Sequence, residues 1–297
     1  MLHLFSDLLL ICFRSETKSF SDGYSEMEEI AISGYYSGTS GLLLPVKNKL
    51  FYPAEFQDKS RLCFYGSLMN SIEINSSFYK VPMASTVQKW ADDVPENFKF
   101  SYKLTREVTH NKGLAFDPEA VKRFMGVIAG AGDKKGCLLV QFPPSVRIGE
   151  LRQLALLMEV LRDNDPANDW KIAIEMRHIS LYHEDIYGLL ENYSMGMVIQ
   201  DMPPAITPMR ETDLSFVYLR FHGPDGNYKG SYEADLLEEY AGYISDWLAE
   251  GKEVYTYFNN TMGDAVANLY TLKDLIASSI KNGGNISSGT ESIGEIS

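Results

Sequence analysis

From Ile30 onward, short segments with a two-residue hydrophobic period alternate with longer segments whose apolar positions recur at helical spacing. Strands are expected over 35–39, 71–75, 98–103, 138–142, 171–177, 195–201, 216–222 and 253–260. Helices are expected over 59–69, 85–92, 118–129, 149–162 and 233–249, with a last one ending near Ala277. Residues 202–213 contain Pro203, Pro204 and Pro208, which predict a broken connection rather than a regular helix. Alternating strands and helices over about 250 residues predict an α/β fold, a single (β/α)8 TIM barrel that is irregular after its sixth strand. A doubly wound sheet is the rival, but it would rarely set a polar inward residue at the end of nearly every strand.

The seventh strand shows the pattern best. Val217, Leu219 and Phe221 form an apolar face suited to covering helices, while Phe216, Tyr218, Arg220 and His222 form the other. That second face is aromatic at its start and charged at its end, as expected of a strand that fills a core and then reaches a site at the barrel mouth. The same logic turns Glu73, Asn75, Lys103, Gln141, Glu175, Arg177, Asp201 and Asn259 inward at the ends of other strands.

These residue types suggest chemistry. Lys103, Arg177, Arg220 and His222 suit an anion, with arginine able to grip phosphate or carboxylate through two donors. Glu73, Glu175 and Asp201 are candidate acids or bases, and His222 a candidate proton shuttle. Asn75, Gln141, His178 and Asn259 would line the pocket, and Tyr79, Tyr228 and Tyr257 would contact a substrate ring. Any one polar strand end is more often a solvated or salt-bridged group; it is the set that argues for a site. The carboxylates with His178 or His222 would also suit a divalent metal, but the interleaved cations oppose one, and no metal or cofactor is expected. Ser40, Ser231 and Cys63 lack a nucleophile-elbow pattern.

The chain of 297 residues is 45% hydrophobic with a formal net charge of -13, which disfavours a general nucleic-acid surface. Cys12, Cys63 and Cys137 have no ligand-like spacing and fit a reducing, cytoplasmic setting. The apolar run at residues 2–13 is interrupted by Asp7 and falls short of the roughly 20 residues of a membrane span. Residues 1–29 are therefore expected to be a poorly ordered extension, with Met27 a candidate natural start. Residues 30–278 are expected to form the barrel and 279–297 a disordered, Gly/Ser/Asn-rich tail.

Several segments together carry a family resemblance. They are Gly38-Thr39-Ser40-Gly41, Glu73-Ile74-Asn75-Ser76-Ser77-Phe78-Tyr79, Gln141-Phe142-Pro143-Pro144-Ser145, Glu175-Met176-Arg177-His178 and Arg220-Phe221-His222-Gly223-Pro224-Asp225-Gly226. Tyr228, Gly230-Ser231-Tyr232 and Tyr257-Phe258-Asn259-Asn260 fit as well. In this order they resemble the YecE-like family, domain of unknown function 72, which implies a TIM barrel and no established activity. Leu42 stands where the family usually has Trp, so the first loop is expected to shape a different pocket wall. The combined expectation is a hydrolase or lyase acting on a small phosphorylated or carboxylated molecule. A phosphodiester-processing enzyme of endonuclease-like barrel type and a non-catalytic metabolite-binding protein are the alternatives.

Overall fold

In the computed structural model, which describes residues 32–286 of the chain, all the strand pairings are parallel. The strands are β1 (Tyr35–Thr39), β2 (Ser71–Ile74), β3 (Lys99–Lys103), β4 (Lys135–Gln141), β5 (Lys171–Glu175), β6 (Gly196–Met197), β7 (Ile199–Gln200), β8 (Phe216–Phe221) and β9 (Glu253–Phe258). They form two sheets, ordered β2-β3-β4-β5-β6 and β1-β9-β8-β7. Helices over Arg61–Leu68, Ala84–Asp92, Pro118–Ile128, Leu151–Asp163, Glu184–Asn192, Ala234–Ala249 and Ala265–Ile286 alternate with them, giving a TIM-barrel-like α/β fold.

Local sequence explains the helix boundaries. Ser60 accepts a hydrogen bond from the Cys63 N–H at the start of the first of these helices. Asp117 caps the helix that begins at Pro118, where the missing proline N–H costs nothing. That helix buries Val121, Phe124, Met125 and Ile128, a stripe at spacings of three and four. The helix over Glu184–Asn192 lies in a stretch where none was expected. The last helix continues to Ile286, past the end expected near Ala277, so residues 279–286 are helical rather than a disordered tail. The expected extension over 1–29, the start at Met27 and the tail beyond Ile286 lie outside the described residues.

Two seams join the sheets. The expected sixth strand is split: β6 pairs with β5, and β7 pairs with β8. Between them the Val198 N–H still donates to Ile174 O at 2.9 Å, but the Val198 carbonyl accepts from Thr207 Oγ1 at 2.8 Å. A side chain from the connecting segment has taken the place of a strand neighbour. That segment contains no helix, as its prolines predict, and it is tied to β7 where the Thr207 N–H donates to Gln200 O at 3.0 Å.

At the other seam, side chains from the β1–β2 connection satisfy the β1 edge. Asn70 accepts from the Ser37 N–H at 2.9 Å and donates to Tyr35 O at 2.7 Å. The buried Tyr65 hydroxyl accepts from the Thr39 N–H at 2.8 Å and reaches Ser71 O at 3.1 Å. Burial pushes this phenol up to about 12. Gly38 allows the close approach, because a Cβ there would stand 2.0 Å from Ser71 O. Only at the top do the strands meet directly, where the Gly41 N–H donates to Glu73 O at 2.8 Å.

Inside, Cys137, Leu139, Ala173, Val198, Phe216, Tyr218, Tyr255 and Tyr257 form one apolar cluster. These are the inward positions of β4, β5, β8 and β9, with Val198 between β6 and β7. The next inward residues toward the C-terminal strand ends are Glu175 and Arg220, so the core passes directly into a charged layer.

Candidate functional site at the strand ends

Arg220 is the centre of the charged layer. It is 2% exposed and grips Glu73 with a two-pronged fork, Nε to Oε2 at 2.9 Å and Nη2 to Oε1 at 2.8 Å. Its third nitrogen, Nη1, donates to Glu175 Oε2 at 2.6 Å. Both carboxylates are fully buried. Glu73 also accepts from the Tyr218 hydroxyl at 2.7 Å and from Ser40 Oγ at 2.7 Å. Burial alone would push the Glu73 carboxyl up; the Arg220 charge and these hydrogen bonds outweigh it and hold it below the usual range. For Glu175 burial is likewise outweighed, first by Arg177 and then by Arg220, and its carboxyl sits well below the usual range.

A second layer stands on the first. Arg177 Nη2 lies 2.5 Å from Glu175 Oε1 and 2.9 Å from His222 Nε2, while its Nη1 contacts the Met202 sulfur. Arg177 Nε is buried without a hydrogen-bond partner among the described residues. His222 is buried, with Nδ1 3.0 Å from Asp201 Oδ1, which also accepts the His222 backbone N–H at 2.8 Å. A carboxylate on Nδ1 favours the Nδ1–H tautomer and leaves Nε2 among Arg177, Arg220 and Glu175, at 2.9, 3.1 and 3.3 Å.

Asp201 is positioned in turn by Tyr232, whose hydroxyl donates to Oδ2 and accepts from the Gly223 N–H at 2.6 Å. Gly223 has φ +96°, and a Cβ there would meet Lys229 O at 2.2 Å, so the turn after β8 requires glycine. Burial and the Asp201 charge push the Tyr232 phenol strongly upward, so it remains a donor. Tyr232→Phe is expected to lower stability by about 1–3 kcal/mol, the cost of leaving buried polar groups unpaired. Chemical denaturation is the check, and an unchanged midpoint would mean that Asp201 and Gly223 find other partners.

Lys103 completes the set differently. Its ammonium lies 4.5 Å from the centroid of the Phe78 ring, and it has no hydrogen bond or ion pair among the described residues. Burial, assisted by the positive charge of Arg220 and Arg177 and opposed by Glu175 and Glu73, lowers its pKa to about 8. Its backbone is fixed where Ser77 Oγ bonds both Ile74 O and Lys103 O at 2.7 Å. His110, whose ring meets the same Phe78 edge-on at 4.9 Å, is driven down to about 4 by burial, Lys103 and Arg106.

Other expected residues lie further from this network. Tyr257 is fully buried below it, its hydroxyl 2.5 Å from Ser71 Oγ and 2.7 Å from Ser101 Oγ, so it cannot meet a substrate ring. Tyr79 is 73% exposed on the short helix Ser76–Tyr79. Tyr228 is 38% exposed and meets His222 edge-on at 6.0 Å. Asn75 lies just past β2 with its Oδ1 buried and without a hydrogen-bond partner among the described residues. Gln141 donates to Phe142 O at 2.9 Å, and His178 Nδ1 caps the turn at Ser180. Asn259 is tied by its backbone N–H to Phe221 O at 2.7 Å. Sequence reasoning did not select Ser40, Tyr218, Tyr232 or His110. The first three act through hydroxyls that show no charge pattern, and His110 sits in a turn outside the strand period. Among the described residues no group of three or more His, Cys, Asp or Glu suits a metal ion, and no helix is long and apolar enough to cross a membrane.

A parallel α/β fold of TIM-barrel type, with a charged cluster where β2, β5 and β8 end, defines the class of this protein. The chain belongs to the family described as "Protein of unknown function DUF72", whose model matches residues 36–288. It is 26% identical over 261 residues to the UPF0759 protein YunF of Bacillus subtilis, covering 76% of this chain and 89% of that protein. It is also 22% identical over 114 residues to the UPF0759 protein YecE of Escherichia coli K12, covering 38% of this chain and 40% of that protein. Among solved structures, a DUF72 family protein of Enterococcus faecalis superimposes with a TM-score of 0.67 at 21% identity, covering 82% of this chain and 95% of that one. One from Thermotoga maritima gives 0.62 at 25% identity, with 82% and 99% covered.

Proposed function

We propose that the strand-end cluster receives a small carboxylated or phosphorylated molecule, and that the protein is a lyase or hydrolase acting on it. The observation that carries this reading is an imbalance of pairing. Arg220 is closed off between Glu73 and Glu175, and Arg177 leans on Glu175, yet among the described residues Lys103 has only the face of Phe78. A largely buried cation without a carboxylate is costly to a fold, and such costs are retained where function uses them. The unpartnered Nε of Arg177 offers a second donor. This moves the anchoring part from Arg220, which has no free nitrogen, to Lys103 and Arg177. The His222–Asp201 pair supplies a ring with a defined tautomer to move a proton, and Tyr228 covers it.

Thermal unfolding with inorganic phosphate and a panel of small mono- and dicarboxylates tests the reading. The wild type is expected to gain melting temperature with at least one of them, following the logarithm of ligand concentration. Lys103→Met is expected to lose that gain while melting roughly 2–4 °C above the wild type without ligand at neutral pH, because it removes a poorly compensated charge worth about 1 kcal/mol. A wild type indifferent to every anion would overturn the proposal.

A further inference from the structure

We infer that the Lys103 amine forms an imine with the carbonyl carbon of a 2-oxo acid. This deepens the anion-site reading and rests on it. The geometry around Lys103 distinguishes a nucleophile from a mere anchor. An anchoring cation gains from full charge and from several donors in a fixed fork, which is what arginine supplies. Lys103 instead ends against an aromatic wall, at 4.5 Å from the Phe78 centroid, and no carboxylate holds its proton within ion-pair distance among the described residues. The groups that set its charge are Arg220 and Arg177 on one side of the balance, Glu175 and Glu73 on the other. All four are tied to one another, so none is free to neutralise the amine. Desolvation beside other cations is the arrangement that turns a lysine into a carbonyl nucleophile.

The remaining chemistry is at hand. With a pKa of about 8, Lys103 is mostly ammonium at neutral pH and attracts the substrate carboxylate. Roughly one molecule in ten is free base one pH unit below the pKa, which suffices for attack. The free amine adds to the carbonyl carbon, giving a carbinolamine; its nitrogen loses a proton and its hydroxyl leaves with a proton as water, giving the imine. No oxidant or reductant is consumed. His110 is neutral at that pH, its charge suppressed by burial and by Lys103 and Arg106, and it shares the Phe78 ring with Lys103. It is the group placed to carry the proton between nitrogen and hydroxyl. The unpartnered Nε of Arg177 is the donor available to the carboxylate beside the carbonyl. Once the imine is protonated, the resulting iminium accepts the electron pair of an adjacent breaking carbon–carbon bond, which assigns the lyase side of the proposed function.

Pyruvate is the probe. The full chain is incubated with pyruvate and cyanoborohydride, which reduces an imine to a stable secondary amine, and the product is mapped by peptide mass spectrometry. A carboxyethyl group is expected on Lys103 on the order of tenfold faster than on exposed lysines, since its free-base fraction is larger by about two powers of ten while lower basicity removes part of that gain. Labelling should rise as the pH passes about 8 and then level off. Lys103→Arg should retain anion-dependent thermal stabilisation and lose the adduct. Labelling of Lys103 no faster than of the exposed lysines, with anion stabilisation intact, overturns the imine and leaves the anion site standing. Loss of both in the wild type overturns the two together.

Discussion

Arg220→Met is expected to destabilise the protein by about 3–5 kcal/mol, the usual consequence of deleting one partner from a buried ion network. The side chain carries three hydrogen bonds to two fully buried carboxylates. Without it Glu73 and Glu175 would be left charged, dry and near each other, with Arg177 the nearest remaining compensation for Glu175. For a chain of this size the loss reads as roughly 6–20 °C in melting temperature. Arg220→Lys should recover only part of it, because an ammonium cannot span Glu73 and Glu175 with a planar fork. A methionine variant that melts with the wild type would mean that the network contributes nothing to stability.

The second large effect is expected in acid. Glu73 and Glu175 bind protons less readily in the folded chain than in the unfolded one, because Arg220 and Arg177 offset their burial. As the pH falls below the usual carboxylate range, the unfolded state takes up protons first. Their contribution is therefore complete above about pH 5 and is lost as the pH descends toward the folded values, at up to about 1.4 kcal/mol per pH unit for each. Glu175→Gln, with the deeper shift, is expected to start less stable at neutral pH and to show the flatter acid limb, and Glu73→Gln a smaller version of the same. Urea unfolding at a series of pH values measures this directly. Parallel limbs in wild type and Glu175→Gln would refute the assignment of acid sensitivity to this pair.

The alternation of β8 was enough to place Arg220 and His222 inside and Phe221 outside, because one apolar face admits only one register. The same held for Glu73 on β2 and for Glu175 on β5. Residue identity did not reveal which cations were already spoken for. Arg220 and Lys103 both read as inward charges, yet one lies deep enough to be shared by two glutamates and the other ends against Phe78. Depth along a strand depends on stagger between strands, and no single strand's pattern encodes that. Tyr257 departs from its expected place for this reason: its strand runs to the mouth, but its hydroxyl is taken by Ser71 and Ser101 lower down. The split of the sixth strand was illegible too, since it depends on one threonine nine residues downstream capturing a main-chain carbonyl.

The order of the two sheets has a consequence for synthesis. β2 to β6 follow one another in the chain and can pair as they emerge, each finding its neighbour already made. β1 emerges before them but runs its ladder against β9, the last strand among the described residues. Until the ribosome has delivered β9, the main-chain groups of Tyr35–Thr39 that will face it have no native partner. Pairings between such distant segments form late and leave edges open to other chains meanwhile. The hold of Tyr65 and Asn70 on the opposite edge of β1 is local by comparison, and it is available within the first few dozen residues of the barrel. A nascent chain can thus park β1 against the following helix and wait for its ladder.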